Sequence, residues 1–196
     1  MTPQVSAWNI ANALTVLRLV LVPVFLIQLL YDDGTDTAWR VAAFVTFAVA
    51  SVTDRVDGEL ARRHNMVTDF GKIADPMADK ALIGAALVGL SILDELWWWV
   101  TVVVLVREIG ITLLRFFVIR HGVMPASRGG KVKTLLQGLA IGLFVLPLTG
   151  ALHALAVVLM VAAVVLTVVT GVDYVVRAVR LRRLSDRTAL KRARRV

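Results

Sequence analysis

Apolar residues arrive in six blocks, each closed by a short polar break. The blocks run over 13–31, 38–62, 70–93, 97–119, 134–148 and 152–176. Each approaches the roughly 20 residues that a helix needs to cross a bilayer, the fifth being the shortest. Asp32-Asp33-Gly34 ends the first block, and Pro147-Leu148-Thr149-Gly150 marks a tight turn between the last two. The pattern predicts an all-α, polytopic membrane bundle of six helices. Before the first block, residues 4–11 are expected to form a short helix lying in the interface, with Trp8 dipping inward. The first block is long, is interrupted by Pro23 and follows no basic cluster, so it reads as a retained helix and not a cleaved leader.

Composition sharpens this class. Hydrophobic residues make up 58% of the 196 and charged residues only 18%, which is poorer in charge than a soluble domain. Cysteine is absent, which excludes disulfides, thiolate catalysis and zinc–thiolate sites.

The net charge of +8 is unevenly placed. The breaks at 32–37, 93–95 and 149–150 hold no Lys or Arg, and Arg40 is the only basic residue near that side. The opposite side carries Arg55, Arg62, Arg63, Lys72, Arg120, Arg128, Lys131, Lys133 and the C-terminal run. The positive-inside rule then puts both termini in the cytoplasm of a multi-pass plasma-membrane protein, with Trp97, Trp98 and Trp99 as an outer aromatic anchor. Residues 1–176 form the membrane domain and 177–196 a basic cytoplasmic tail, helical or disordered. Nine of the 22 Lys and Arg lie in that tail. Beside a membrane helix, such charge serves topology and anionic headgroups, so no nucleic-acid partner is expected.

Against this background four acids stand out: Asp54, Asp57, Asp75 and Asp79. Acids inside membrane segments are costly and call for a compensating cation. Positions 54, 57, 58, 61 and 62 fall on one helical face, as do 71, 75 and 79. The link between the second and third blocks is short, so the two faces belong to antiparallel neighbours at the cytoplasmic side. Gly58, Ala61 and Gly71 remove bulk from these faces and admit a backbone or a ligand. Hard cations such as Mg²⁺ take oxygen ligands, commonly carboxylates together with substrate phosphates. Taken singly, each acid is equally well explained by a salt bridge to Arg55, Arg62, Lys72 or Lys80. The register of all eight positions is not.

The string Asp54-x-x-Asp57-Gly58-x-x-Ala61-Arg62, eight residues, then Gly71-x-x-x-Asp75-x-x-x-Asp79 resembles the signature of the CDP-alcohol phosphotransferase family at every position. The resemblance implies a six-helix membrane enzyme, usually a homodimer, that moves a substituted phosphate from a CDP-linked donor to an alcohol and releases CMP. It implies two divalent ions, Mg²⁺ or Mn²⁺, held by Asp54, Asp57, Asp75 and Asp79. Asp79 is implied as general base, and Asp54, Gly58, Ala61, Arg62 and Gly71 as donor contacts. Three further stretches resemble the phosphatidylglycerophosphate synthases within that family. They are Asn9-x-x-Asn12-x-Leu14-Thr15-x-x-Arg18, the run from Phe70 to Lys80, and Arg107-Glu108-Ile109 with Arg115, Lys131, Lys133 and Gln137. Ala11 stands where the family often has Pro.

That branch implies CDP-diacylglycerol as donor and glycerol 3-phosphate as acceptor. Arg107, Arg115, Lys131 and Lys133 would then hold the acceptor phosphate, Arg as a bidentate fork and Lys as a point charge. They serve equally as topology markers, except that Arg107 lies well inside a span and needs an acidic partner such as Glu108. Thr15 and Arg18 either reach the same cleft or anchor the first helix. Asp173 reads as a polar residue near a helix end, and the three histidines have no ligand spacing. Cardiolipin synthase and phosphatidylinositol-phosphate synthase remain rivals, differing in acceptor. An ion-coupled transporter is the rival of another class, though no inverted repeat is visible and the acids sit at one face.

Overall fold

The computed structural model describes residues 10–63, 69–118 and 128–193, with side chains at 13–53, 77–78, 80–114, 130 and 132–180. Among these residues the chain is all-helical, with six α-helices and no strand. They are α1 (Ile10–Leu30), α2 (Thr37–Arg63), α3 (Asp69–Ile92), α4 (Trp98–Val118), α5 (Arg128–Val145) and α6 (Gly150–Ala193). Residues 4–9 of the expected interfacial segment, including Trp8, lie outside the described residues.

The breaks work by identifiable means. α1 passes through Pro23 and gives way to a 3₁₀ turn, Tyr31–Gly34, in which Asp32 and Asp33 have φ 51° and Gly34 has φ 70°. Asp is among the few L-residues that visit this left-handed region. At Gly34 the positive φ disfavours any other residue, and an added Cβ would also sit 2.7 Å from the tip of Leu93, which would have to shift. Asp36 then caps α2, its Oδ1 accepting from the N–H groups of Ala38 (2.8 Å) and Trp39 (3.1 Å).

Two helices depart from the hydropathy blocks. α5 begins at Arg128, six residues before the apolar stretch, and ends at Val145 because a residue preceding proline disfavours helix. α6 runs on to Ala193 without a break, since Arg, Leu and Ala sustain a helix after the apolar run has ended.

α1 packs on α2 and α3, α4 on α6, and α5 on both α2 and α6. The core between them holds Phe25, Leu29, Phe47, Leu82, Leu87 and Ile141, with the Phe25 and Phe47 rings 5.8 Å apart. The outward positions of α1, α2, α4 and α6 are also apolar, as at Val20, Ile27, Val45, Val106, Val158 and Val165. An apolar exterior this extensive suits lipid, not water. By length and composition, Ala13–Gly34 and Gly150–Arg180 are long enough to cross a bilayer.

At one end of the bundle Arg40 is almost wholly buried. Its Nε donates to the Val145 carbonyl (2.6 Å) and its Nη2 to that of Phe144 (2.7 Å), filling acceptors left open where α5 ends. Nη1 donates to Gly34 O and to Glu95 Oε1. One guanidinium therefore ties α2, the end of α5 and two connecting turns together.

Candidate functional site

On α2 the buried apolar residues are Ala43, Phe47 and Ala50. Stepping on by four, three and four residues reaches positions 54, 57 and 61, and α2 is unbroken through them. On α3 the buried residues Leu90, Ala86 and Leu82 lead by three and four to positions 79 and 75. By helical register alone, positions 54, 57, 61, 75 and 79 thus share helix faces with these buried residues. The side chains of Asp54, Asp57, Gly58, Ala61, Arg62, Gly71, Asp75 and Asp79 lie outside the described residues, as do those of Arg115 and Lys131.

Contacts elsewhere fix the level of these positions. Thr46 donates to Gln28 Oε1 (2.7 Å), which sets α1 antiparallel to α2 and puts position 18 opposite about position 56. Gly89 approaches Leu26 and Leu29, which sets α1 parallel to α3 with position 18 near position 79. Arg18 and Thr15, on the stripe that includes Phe25 and Leu29, are completely buried at that level, and both are engaged by other groups. Their burial is compatible with both sequence readings for this pair, reaching the cleft or anchoring the first helix. A fully buried guanidinium is expensive without nearby negative charge.

Along the α3–α4 seam, Ser91 and Thr101 share a buried hydroxyl contact of 2.7 Å, and Lys80 donates to Thr112. This antiparallel register places Arg115 opposite Met77, between the levels of Asp75 and Asp79. It places Glu108 opposite Gly84, about 7 Å further along α3 from Asp79.

Glu108 gathers two of the four expected phosphate ligands. Its Oε1 accepts from Arg107 Nη1 (2.8 Å) and from the ammonium of Lys133, which is nearly buried. Arg107 also donates to Thr170 Oγ1 on α6 (3.0 Å), and its stem lies against Gly171. The expectation that an acid partners Arg107 is met by Glu108. Arg107 turns toward α6, whereas Lys133 lines a cavity of ≈ 320 Å³ between α3, α4 and α5. Exposed Met77 and Ile109 stand at its rim, and Lys80, Glu108, Lys133 and Gln137 also line it. On α3 the residues lining it include Met77, Ala81 and Gly84, the face turned away from the 75/79 stripe. Gln137 is buried, and its Oε1 has no hydrogen-bond partner among the described residues. Thr170 had no role in the sequence reading and Gln137 entered it only through the family resemblance, whereas Glu108 was named there as an acidic partner for Arg107. The signal for Glu108 was its place beside an intramembrane Arg; for Thr170, sixty-three residues away, there was none.

Asp173 pairs with Arg177 one turn on, both partly exposed, as a helix-end residue does.

The model of the CDP-alcohol phosphatidyltransferase family matches residues 8–169. A Mycobacterium tuberculosis protein described as "Probable phosphatidylglycerophosphate synthase" is 62% identical over 172 residues, covering 88% of this chain and 82% of its own. A Bacillus subtilis protein described as "CDP-diacylglycerol--glycerol-3-phosphate 3-phosphatidyltransferase" is 36% identical over 180 residues, covering 85% of this chain and 93% of its own. A Rickettsia felis protein of the same description is 35% identical over 171 residues, with 85% and 93% covered.

Proposed function

Because this chain belongs to the CDP-alcohol phosphatidyltransferase family, we propose that it moves the phosphatidyl group of CDP-diacylglycerol onto the sn-1 hydroxyl of glycerol 3-phosphate. The products are phosphatidylglycerophosphate and CMP. The continuation of the buried stripes of α2 and α3 into Asp54, Asp57, Asp75 and Asp79 is the observation that supports this reading most directly. The relatives from Mycobacterium tuberculosis and Bacillus subtilis, matched over most of both chains, carry names that agree with it.

The donor set is all oxygen, at positions in register with the buried faces of two neighbouring helices, which fits hard divalent ions better than soft ones. Asp54, Asp57, Asp75 and Asp79 would hold two such ions, Mg²⁺ or Mn²⁺. When bound, they neutralise the pyrophosphate and align its phosphorus for attack. Asp79 takes the proton of the acceptor hydroxyl as that oxygen bonds to the lipid-bearing phosphorus. The bond from this phosphorus to the oxygen bridging to CMP breaks, and CMP leaves with the electron pair. Asp54, Gly58, Ala61, Arg62 and Gly71 contact the donor, the small residues leaving room for the nucleotide.

Arg18, buried at the aspartate level, offsets the carboxylates and orients them. Arg115 and Lys131 meet the acceptor phosphate. Lys133 and Arg107, tethered through Glu108, supply positive potential from further along the helices. We further infer that all six helices span the plasma membrane, that both termini and the active site face the cytoplasm, and that the chain works as a homodimer.

The test is CMP release by purified protein with CDP-diacylglycerol and Mg²⁺, offering glycerol 3-phosphate, phosphatidylglycerol and inositol phosphate separately. Release with glycerol 3-phosphate alone is expected. Release only with another acceptor would overturn the acceptor assignment and leave the aspartate chemistry standing. No release with any of the three, from folded protein, would refute the reaction.

A further inference from the structure

A second cavity, ≈ 360 Å³, lies at the opposite end of the bundle from the aspartate stripes, between the start of α4, the end of α5 and the start of α6. Along α3, the level of its mouth is about 20 Å from that of Asp79. The α6 wall runs from His153 past Val157, Met160 and Val161 to Val164. The eleven steps from His153 to Val164 rise about 16 Å, close to half of a ~30 Å hydrocarbon core and so to the depth of one leaflet. Beyond His153 this wall is entirely apolar.

The mouth has a different character. Asp94 and Glu95 stand there with Trp97 and Trp99, whose rings stack at 6.4 Å and 14°. Glu95 is engaged by Arg40. Asp94 is exposed and makes no ion pair among the described residues. His153 meets the Phe144 ring edge-on at 5.6 Å. An amphiphile therefore fits, its chain in the slot and its head at the mouth. A carboxylate beside paired indole faces favours a cation and opposes a head of net negative charge.

We propose that this groove holds one acyl chain of a bilayer lipid whose headgroup carries an ammonium, received by Asp94 and the faces of Trp97 and Trp99. The site is separate from the transferase centre. Its mouth discriminates against anionic lipids, the class to which the substrate and product of the proposed reaction belong.

The test uses the full chain in nanodiscs with Trp8, Trp39 and Trp98 replaced by phenylalanine, so that emission comes from Trp97 and Trp99. Brominated phosphatidylethanolamine and equally brominated phosphatidylglycerol serve as quenchers. Saturable quenching by the ethanolamine lipid at about fivefold lower mole fraction is expected, the size of one partly exposed charge contact. Asp94→Asn should abolish that difference without changing transferase activity, and Val161→Phe should remove the saturable component by filling the slot. Identical curves for the two lipids would overturn the proposal, as would a preference that survives both substitutions. The chain has no cysteine, so Val161→Cys is a unique probe. Oxidation linking most of the protein between copies through it would assign the groove to a second protomer, and that too would overturn the proposal.

Discussion

Replacing Arg40 by methionine should unpin one end of the bundle while leaving the chemistry intact. The side chain is 3% exposed and donates to three backbone carbonyls and one carboxylate. The bonds to Phe144 and Val145 matter most, because they are short, buried and satisfy a helix terminus. A hydrogen bond from a charged donor is worth about 1.5–3 kcal/mol net, and the values do not add fully within one side chain. The Glu95 contact is 33% exposed on the acid's side and contributes below roughly 1 kcal/mol. Methionine keeps most of the stem packing but leaves the α5 carbonyls open, for a loss of roughly 3–5 kcal/mol.

In a chain of this size such a loss lowers the thermal midpoint by about 10 °C, read by intrinsic fluorescence or by size-exclusion recovery in detergent. Glu95→Gln should lower it by no more than about 2 °C. Position 40 is about 25 Å along α2 from position 57, so turnover per folded molecule should stay near that of the unaltered protein. A midpoint for Arg40→Met no lower than that for Glu95→Gln would refute the account of Arg40 as the cap of α5. Loss of turnover in protein that remains folded would refute the separation of the two ends.

Other outcomes follow from the same geometry. Asp57→Asn should abolish CMP release while the protein still inserts and folds; retained turnover would sink its assignment as a metal ligand. Chelation by EDTA should stop the reaction, with Mg²⁺ or Mn²⁺ restoring it, and activity that survives chelation would remove the ions from the proposal. Lys133→Ala should raise the KM for glycerol 3-phosphate by about tenfold, with a smaller change for CDP-diacylglycerol, as removal of one phosphate-directed charge does; an equal change for both substrates would place Lys133 outside the acceptor region. Ser91→Ala and Thr101→Val should each cost about 1 kcal/mol of stability and couple in a double-mutant cycle, since the two hydroxyls meet at 2.7 Å; additivity would contradict the α3–α4 register.

What the chain discloses depends on whether the cause is local. The six helices are readable because each needs an apolar stretch bounded by a breaker, and both lie within one window of sequence. Helix ends are less so. α5 starts six residues before its apolar run and α6 continues far past its own, because hydropathy marks what faces lipid or core and not where backbone bonding stops. Arg40 shows the limit more sharply. As a lone basic residue on an otherwise uncharged side it counts only as a small exception to the positive-inside pattern. Its partners, Phe144 and Val145, lie more than a hundred residues away, and only the packing of α2 on α5 joins them.

The candidate site divides along the same line. Eight positions within 54–79 are legible because one face repeats along two adjacent helices. Which phosphate-directed cations share a level with the acids is a question of register between helices, and no periodicity contains it. Gln28 with Thr46, Ser91 with Thr101 and Lys80 with Thr112 supply that register. The α3–α4 contacts place position 115 level with the aspartate positions, and Lys131 precedes Lys133 on α5 by about half a turn, whereas Arg107 and Lys133 are bound to Glu108. If Arg115 and Lys131 carry the acceptor phosphate, Arg115→Gln and Lys131→Gln should raise the glycerol 3-phosphate KM more than Arg107→Gln does. The reverse order would mean that Glu108 releases its cations to the substrate, and the tether would then be a switch and not a scaffold.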